Sequence, residues 1–501
     1  MTGEISDQGP LGVRRAGVLL HVTSLPSTKG AKSDGPTSHG PTSHGPTSHG
    51  PTSHGRGDLG PEAYRFVDFL AEAGCTVWQV LPLVPTHEED GSPYNALSAM
   101  AGNPELISDQ LRRERGLVSA DGLTPEQRVA FARWCEVNNT WLEPFVEFMT
   151  LREALGHTPW TTWEPALRDR DAYRVAQVMA ARARDAEHLR FEQWVFAIQW
   201  RELRAYAASR GVLFFGDLPI FVSLDSADVW SSRNLFELDD EGRPTTVTGV
   251  PPDYFAADGQ RWNNPHYDWD AMAADGFAWW RQRIARQREL FDLVRIDHFR
   301  GFEAAWHVPV EAPTARDGHW VKGPAREVLA ALVETAGPGT LVAEDLGVIT
   351  PEVDAVRLEF GLPGMKVLQF AFDGSSDNPY LPERHGEQSV VYTGTHDNDT
   401  TLGWWGDLDE STRERVRSAV PVADEPMPWA LIHLALASTA RLAVVPAQDL
   451  LGQGSIARMN TPGTDEGNWD WQATGGFDAE LAARVRALVI ETDRVRGTHQ
   501  R

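Results

Sequence analysis

Ten residues, Leu293-Val294-Arg295-Ile296-Asp297-His298-Phe299-Arg300-Gly301-Phe302, open as an apolar strand and then deliver Arg295, Asp297, His298 and Arg300 in quick succession. An apolar core has no use for ionisable groups at that density, whereas a strand ending in a polar pocket does. The alternative is a salt-bridged edge strand. Two later stretches share the form: Thr340-Leu341-Val342-Ala343-Glu344-Asp345-Leu346-Gly347 and Val390-Val391-Tyr392-Thr393-Gly394-Thr395-His396-Asp397-Asn398-Asp399. Breaking a glycosidic bond takes one carboxyl to protonate the leaving oxygen and a second to face the anomeric carbon. Three apolar strands ending in acids at nearly even spacing would supply such carboxyls.

The two carboxyls must titrate apart, one neutral and one ionised near pH 7. Asp297 stands two residues from Arg295 on a strand, so both side chains point the same way. That cation is expected to lower the pKa of Asp297 and keep it nucleophilic. Glu344 follows Leu341-Val342-Ala343, a setting that raises a carboxyl and suits acid work, while Asp345 faces the other side. His396-Asp397 supplies a third carboxylate. A metal site is the competing reading of these His and Asp residues, but no tight His-x-x-x-His spacing supports one. Spacing does not give the carboxyl separation, so retention and inversion both stay open at this level.

Alternating strands and helices must present these groups. Residues 17–24 read as a first buried strand, 76–83 as a second and 211–222, with Asp217, as a third. The fourth begins at Leu293. Strands at 340–346, 365–372, 389–395 and 441–446 complete eight. Helices are expected at 61–74, 269–291, 324–336, after Thr350, at 410–419, at 427–439 and at 478–494. Eight strand–helix units call for a parallel sheet closed into an α/β (β/α)8 TIM barrel, whose active site lies at the C-terminal strand ends. Asp217, Asp297, Glu344 and Asp397 all fall there. One catalytic barrel over 16–501 is expected, behind a flexible tail at 1–15. Its insertions are a mainly helical one, about 105–208, between strands two and three, and a long loop region, about 225–270, between strands three and four. A stretch of that length without regular structure is usually functional.

From Gly35 to His54 the pentad Gly-Pro-Thr-Ser-His repeats four times. With almost no apolar residues it cannot bury a core, so it reads as a flexible insert. Its four histidines are read as part of a solvated repeat rather than as a metal site. The formal charge of −25 argues against nucleic acid and anionic membranes as partners. Residues 1–10 carry no basic and apolar leader, no run approaches a membrane span, and the two cysteines, Cys75 and Cys135, are too few for a disulfide framework; a cytoplasmic protein is expected. No phosphate-binding or dinucleotide fingerprint appears, so no cofactor is implied. The 19 tryptophans suit either sugar stacking or a large core.

Nine motifs spread from residue 21 to 464 resemble the amylomaltase family of 4-α-glucanotransferases, a branch of the α-amylase-like barrels. They are His21-Val22-Thr23-Ser24-Leu25-Pro26-Ser27, Gly57-Asp58-Leu59-Gly60, Ser92-Pro93-Tyr94 with Ala101-Gly102-Asn103-Pro104, Gly216-Asp217-Leu218-Pro219, Gly249-Val250-Pro251-Pro252-Asp253-Tyr254-Phe255, Arg295 to Arg300, Ala343 to Gly347, Gly394 to Asp399, and Arg458-Met459-Asn460-Thr461-Pro462-Gly463-Thr464. The resemblance implies a retaining double displacement on α-1,4-glucans and maltooligosaccharides, with glucose as an acceptor. Asp297 would be the nucleophile, Glu344 the acid and then the base, and Asp397 the group that grips sugar hydroxyls. Arg295 would orient Asp297. His396, Asp217, Tyr94 and Ser92 would contact the same sugar, and Gln260 and Trp262 would overhang the cleft. A hydrolase of the same architecture and a non-catalytic glucan-binding protein are the alternatives; the intact Asp297, Glu344 and Asp397 disfavour the second.

This chain departs from the family at the repeat, at Arg56 where a small apolar residue is usual, at Ala256 where Ser is common, and at Asn263 where Gly is common. If the repeat loops into solvent, deleting residues 35–54 leaves glucan transfer from maltotriose within about tenfold of the full chain, ~1.4 kcal/mol of barrier. A larger loss in that assay would refute the reading.

Overall fold

The computed structural model describes residues 9–26, 56–252, 257–422, 424–464 and 466–495. Twelve strands occur among them: β1 (Arg15–Leu19), β2 (Val77–Gln79), β3 (Leu213–Pro219), β4 (Thr246–Val250), β5 (Gln260–Pro265), β6 (Leu293–Asp297), β7 (Ala304–Pro309), β8 (His319–Lys322), β9 (Leu341–Ala343), β10 (Gly364–Val367), β11 (Ser389–Tyr392) and β12 (Leu442–Pro446). Eight form one sheet in the order β10-β11-β12-β1-β2-β3-β6-β9, with every pair parallel. The amide of Ala343 at the end of β9 donates to the carbonyl of Pro363 just before β10 at 2.9 Å, bringing the two ends of that order together. The sheet is therefore the expected (β/α)8 barrel.

Strand periodicity explains its filling. Alternate residues Phe215, Leu293, Val342, Met365, Val367, Val390, Tyr392, Leu442 and Val444 pack into one buried cluster inside the barrel. The intervening residues pack outward against the helices in a larger cluster. The helix at Pro61–Ala73 has Pro at its first turn and stops at Gly74, whose φ of 75° is left-handed. Of the expected tail, residues 9–15 are ordered. Leu11 is buried with the barrel interior, and Arg14 donates to the carbonyls of Ser438 and Thr492. Residues 1–8 lie outside the described residues.

The helical insertion follows β2, with helices at Asp109–Glu114, Pro125–Ala154, Ala172–Ala181 and Ala183–Ser209. Thr124 and Gln127 form a reciprocal cap at the start of the longest. Two buried glutamines of the last helix, Gln193 and Gln199, each clasp backbone of the preceding loop, accepting from and donating to Gly102 and Ser108 respectively at 2.7–3.0 Å.

The long loop region is not structureless. It contains a helix at Ala227–Ser231 and the strands β4 and β5. These join β7 and β8 in an antiparallel sheet of order β5-β4-β7-β8. The sheet was missed because β5 and β8 are polar and because β7, which pairs with β4, lies more than 50 residues further along the chain. The expected helix at 269–291 is also two, Trp269–Ala274 and Ala278–Leu290, parted at Gly276 and Phe277, both with left-handed φ. Six barrel strands end three to five residues earlier than read, β12 ends at Pro446 as read, and Val22–Ser24 and Leu368–Phe370 are single 3-10 turns.

The Gly-Pro-Thr-Ser-His repeat lies outside the described residues. Its flanks are held together regardless: Gly57 N–H donates to the Thr23 carbonyl at 3.0 Å, and a Cβ at Gly57 would come within 2.3 Å of the Val22 carbonyl. Arg56 pairs with Asp470 at 2.6 Å on the surface. Asn263 in β5 has φ 64°, which explains why glycine suits this position and why asparagine is tolerated. Its side chain accepts from Arg261 Nε at 2.8 Å. Asn263→Val is expected to cost about 1–2 kcal/mol and Asn263→Gly to leave stability nearly unchanged, as read from thermal midpoints.

Candidate active site

Register builds the site. In the β3–β6 pair Asp217 stands opposite Arg295, and Pro219 opposite Asp297. Side chains opposite one another share a face, so Asp217 and Arg295 enter the barrel side by side. Arg295 Nη1 donates to both oxygens of Asp217 at 2.8 and 2.6 Å, and Nη2 reaches Asp297 Oδ1 at 2.7 Å. Its Nε points at Met365 Sδ, 3.4 Å away. The side chains of Arg295 and Asp217 are 4% and 0% exposed, and that of Asp297 is 27% exposed, turned toward the opening. Burial opposes the charge on Arg295, but Asp217 and Asp297 outweigh it and hold the guanidinium well above its usual value.

The expected lowering of Asp297 does not occur. Burial is the largest influence on its carboxyl; Arg295 opposes it, but Asp217, Glu344 and Asp397 add to it, and the pKa rises well above the carboxylate range. One cation shared with Asp217 does not neutralise the whole cluster. Glu344 is raised too, as expected, chiefly by burial, with Arg295 and two backbone donors pulling the other way. Those donors are His298 N at 2.7 Å to Oε2 and Leu346 N at 2.8 Å to Oε1. His298 sits at φ 50°, ψ 48°, a left-handed conformation that turns its amide onto the acid. Asp345 does face away, toward Met365 and Arg357.

Tyr94 arrives from the loop clasped by the two glutamines. Its hydroxyl donates to Asp217 Oδ2 at 2.7 Å, and its ring stacks on His396 with centroids 5.2 Å apart and planes 12° apart. Burial and Asp217 hold its phenol well above the usual range, so it remains a donor. Ser92 supports this loop, its hydroxyl accepting from Tyr94 N at 3.3 Å and its amide donating to Asp90 Oδ1 at 3.0 Å. His396 Nε2 lies 3.3 Å from Asp397 Oδ2, and burial lowers the imidazole against the opposing Asp397. Trp262 meets His298 edge-on at 4.7 Å and donates to Gln260 Oε1 at 3.2 Å, so the β4–β5 hairpin adjoins the strand that bears Asp297.

Several partners escaped the sequence reading. Asn460 Nδ2 donates to Asp397 Oδ1 at 2.6 Å, and Arg458 Nη2 to the Asp397 carbonyl at 2.6 Å. Trp469 lies beside both Tyr94 and His396. Asp449, fully enclosed, accepts from Thr393 Oγ1, Thr401 N and Thr401 Oγ1 at 2.6–2.7 Å and so ties down both ends of the 393–401 turn. Only the Arg458-Met459-Asn460 motif gave any signal. Eleven of the 19 tryptophans are buried, Trp78, Trp160, Trp200, Trp230 and Trp280 fully so.

A parallel eight-stranded barrel with Asp297, Glu344 and Asp397 gathered at its C-terminal strand ends is the architecture of an enzyme acting on glycosidic bonds. Comparison with known proteins narrows this. Residues 46–123 and 118–476 match the family model described as 4-alpha-glucanotransferase. A 4-alpha-glucanotransferase of Thermus thermophilus is 45% identical across 96% of this chain and 99% of its own. One from Synechocystis is 42% identical across 92% and 94%. The solved amylomaltase from Streptococcus agalactiae in complex with acarbose is 31% identical, with a TM-score of 0.86 over 96% of this chain and all of that one. The chain belongs to the 4-alpha-glucanotransferase family.

Removing Arg295 would leave Asp217 buried without its cation. Arg295→Met is expected to destabilise the protein by about 3–5 kcal/mol, read as a lower urea midpoint. An unchanged midpoint would mean that the pair carries little of the barrel's stability.

Proposed function

We propose that this protein transfers a segment of an α-1,4-glucan to the 4-hydroxyl of an acceptor glucose or glucan, through a covalent glycosyl-enzyme. The observation that carries this reading is the single buried guanidinium shared by Asp217 and Asp297, with Glu344 held on the next strand. Asp297 attacks the anomeric carbon while Glu344 protonates the departing glycosidic oxygen. Glu344 then takes the proton of the incoming 4-hydroxyl as that oxygen displaces Asp297. Asp397, fixed by Asn460 and Arg458, holds the hydroxyls of the sugar being transferred. Tyr94, His396 and Asp217 line the same position, Tyr94 and His396 presenting stacked rings and His396 a neutral imidazole. Ser92 acts through Tyr94. Gln260 and Trp262 reach the acceptor side from the hairpin.

Transfer in place of hydrolysis requires that the acceptor sugar outcompete water. The hairpin beside His298 and the family relationship support transfer. No helix among the described residues is long and apolar enough to cross a membrane. Maltooligosaccharides are the substrates we favour, and the cytoplasm the compartment.

Incubation with maltotriose alone is expected to yield glucose together with maltotetraose and longer chains. Glucose and maltose with nothing longer would mark a hydrolase, and no turnover by folded protein a binding protein. Glu344→Gln is expected to lower turnover by about 10²–10⁴-fold, and Asp297→Asn by at least as much. The pH dependence follows from the raised carboxyls. The Asp297–Glu344 pair is active with one proton between them, so kcat/KM falls at low pH as a second proton binds. It falls at high pH as the shared proton leaves. Because burial raises both groups, that alkaline limb lies above the ordinary carboxylate range.

A further inference from the structure

The barrel order begins at β10 and ends at β9. Across this seam the described backbone forms no ladder, only the bond from Ala343 N to the Pro363 carbonyl. A side chain takes over where the backbone stops. Asp345, next in sequence to Glu344 and 8% exposed, accepts from Met365 N, in β10, at 2.6 Å. Its other oxygen lies 3.2 Å from Arg357 Nε on the helix at Pro351–Glu359. The fit is close from the β10 side as well: a Cβ on Gly364 would stand 2.2 Å from Asp345 Oδ2. Met365 is itself anchored inside the barrel, its sulfur against Arg295 Nε at 3.4 Å.

We infer that Asp345 is a positioning residue for the transfer reaction: by strapping the end of β9 to the Met365 amide of β10, it sets where Glu344 stands relative to Asp297. This rests on Glu344 as the acid and base proposed above. Just past β9, Glu344 turns to the amides of His298 and Leu346 and Asp345 to Met365 and Arg357, on opposite sides. Asp345 therefore grips the seam while Glu344 faces the cleft, and a shift of one carries the other. A displacement near 1 Å at a reacting group costs on the order of a hundredfold in rate.

Two donors separate positioning of Glu344 from general damage. Maltotriose needs Glu344 to protonate its leaving group. α-Maltosyl fluoride does not: the Asp297 oxygen bonds to the anomeric carbon, the carbon–fluorine bond breaks, and fluoride leaves with the electron pair. Asp345→Ala is expected to lower kcat on maltotriose at least tenfold per active site, with KM within threefold, while the rate of the first fluoride burst stays within threefold of wild type. Asp345→Asn, whose amide oxygen can still accept from Met365 N–H, is expected to recover most of the loss. Gly364→Ala, which pushes the carboxylate away from the opposite side, is expected to reproduce it, and decides the matter if Asp345→Ala does not fold. An unchanged kcat in Asp345→Ala or Gly364→Ala, or a burst slowed as much as maltotriose turnover, overturns the inference. Glu344→Gln in the same assays is expected to lose maltotriose turnover and keep the burst; full maltotriose turnover there would instead overturn the assignment of Glu344, and this inference with it.

Discussion

A guanidinium almost wholly withdrawn from water needs acceptors packed against it, and Arg295 has the carboxylates of Asp217 and Asp297. Much of the site follows from that pairing. Asp217, held in the barrel by Arg295, accepts the hydroxyl of Tyr94, which fixes the ring that stacks on His396. Asp297 keeps one oxygen on the cation and remains partly open to the cleft. Because Arg295 is divided between two carboxylates, it does not bring Asp297 down to an ordinary acidity. Both Asp297 and Glu344 are instead raised, chiefly by burial.

The barrel supplies register, and the insertions supply the walls. Eight parallel strands set Asp217 beside Arg295, and the amide of Glu344 on the Ile296 carbonyl, without any specific loop. The groups that would meet a glucan beyond the reacting bond come from elsewhere. The helical insertion clasps the loop of Tyr94 through Gln193 and Gln199, and the antiparallel sheet of β4, β5, β7 and β8 brings Trp262 against His298. On the proposed reading this division keeps the reacting groups on the barrel strands and leaves access to them to the insertions. Gly57 N–H on the Thr23 carbonyl joins the chain on either side of the repeat.

The eight barrel strands were legible because each is a short apolar run with a turn on either side, and buried parallel strands have that composition. Their ends were read too long, since apolar residues such as Val80 and Leu368 continue past the hydrogen-bonded ladder into turns that are equally buried. The second sheet was not legible. Its strands carry residues such as Gln260, Asn263, His319 and Lys322, and pairing β4 with β7 joins segments that sequence order alone does not relate.

Residue types and spacing determined that carboxyls would stand at the ends of strands three, four, five and seven, and that Arg295 would share a face with Asp297, because a strand has a period of two. The side chains' energies were decided in three dimensions. Whether Arg295 lowers Asp297 depends on how many other acids share the cation and how much water is excluded, and neither is visible along the chain. Asn460, Arg458, Asp449 and Asp345 act through contacts made by folding, between segments distant in sequence or across the barrel seam. Their types alone did not single them out, because a hydrogen-bonding side chain becomes part of a site only when its partner is brought within about 3 Å.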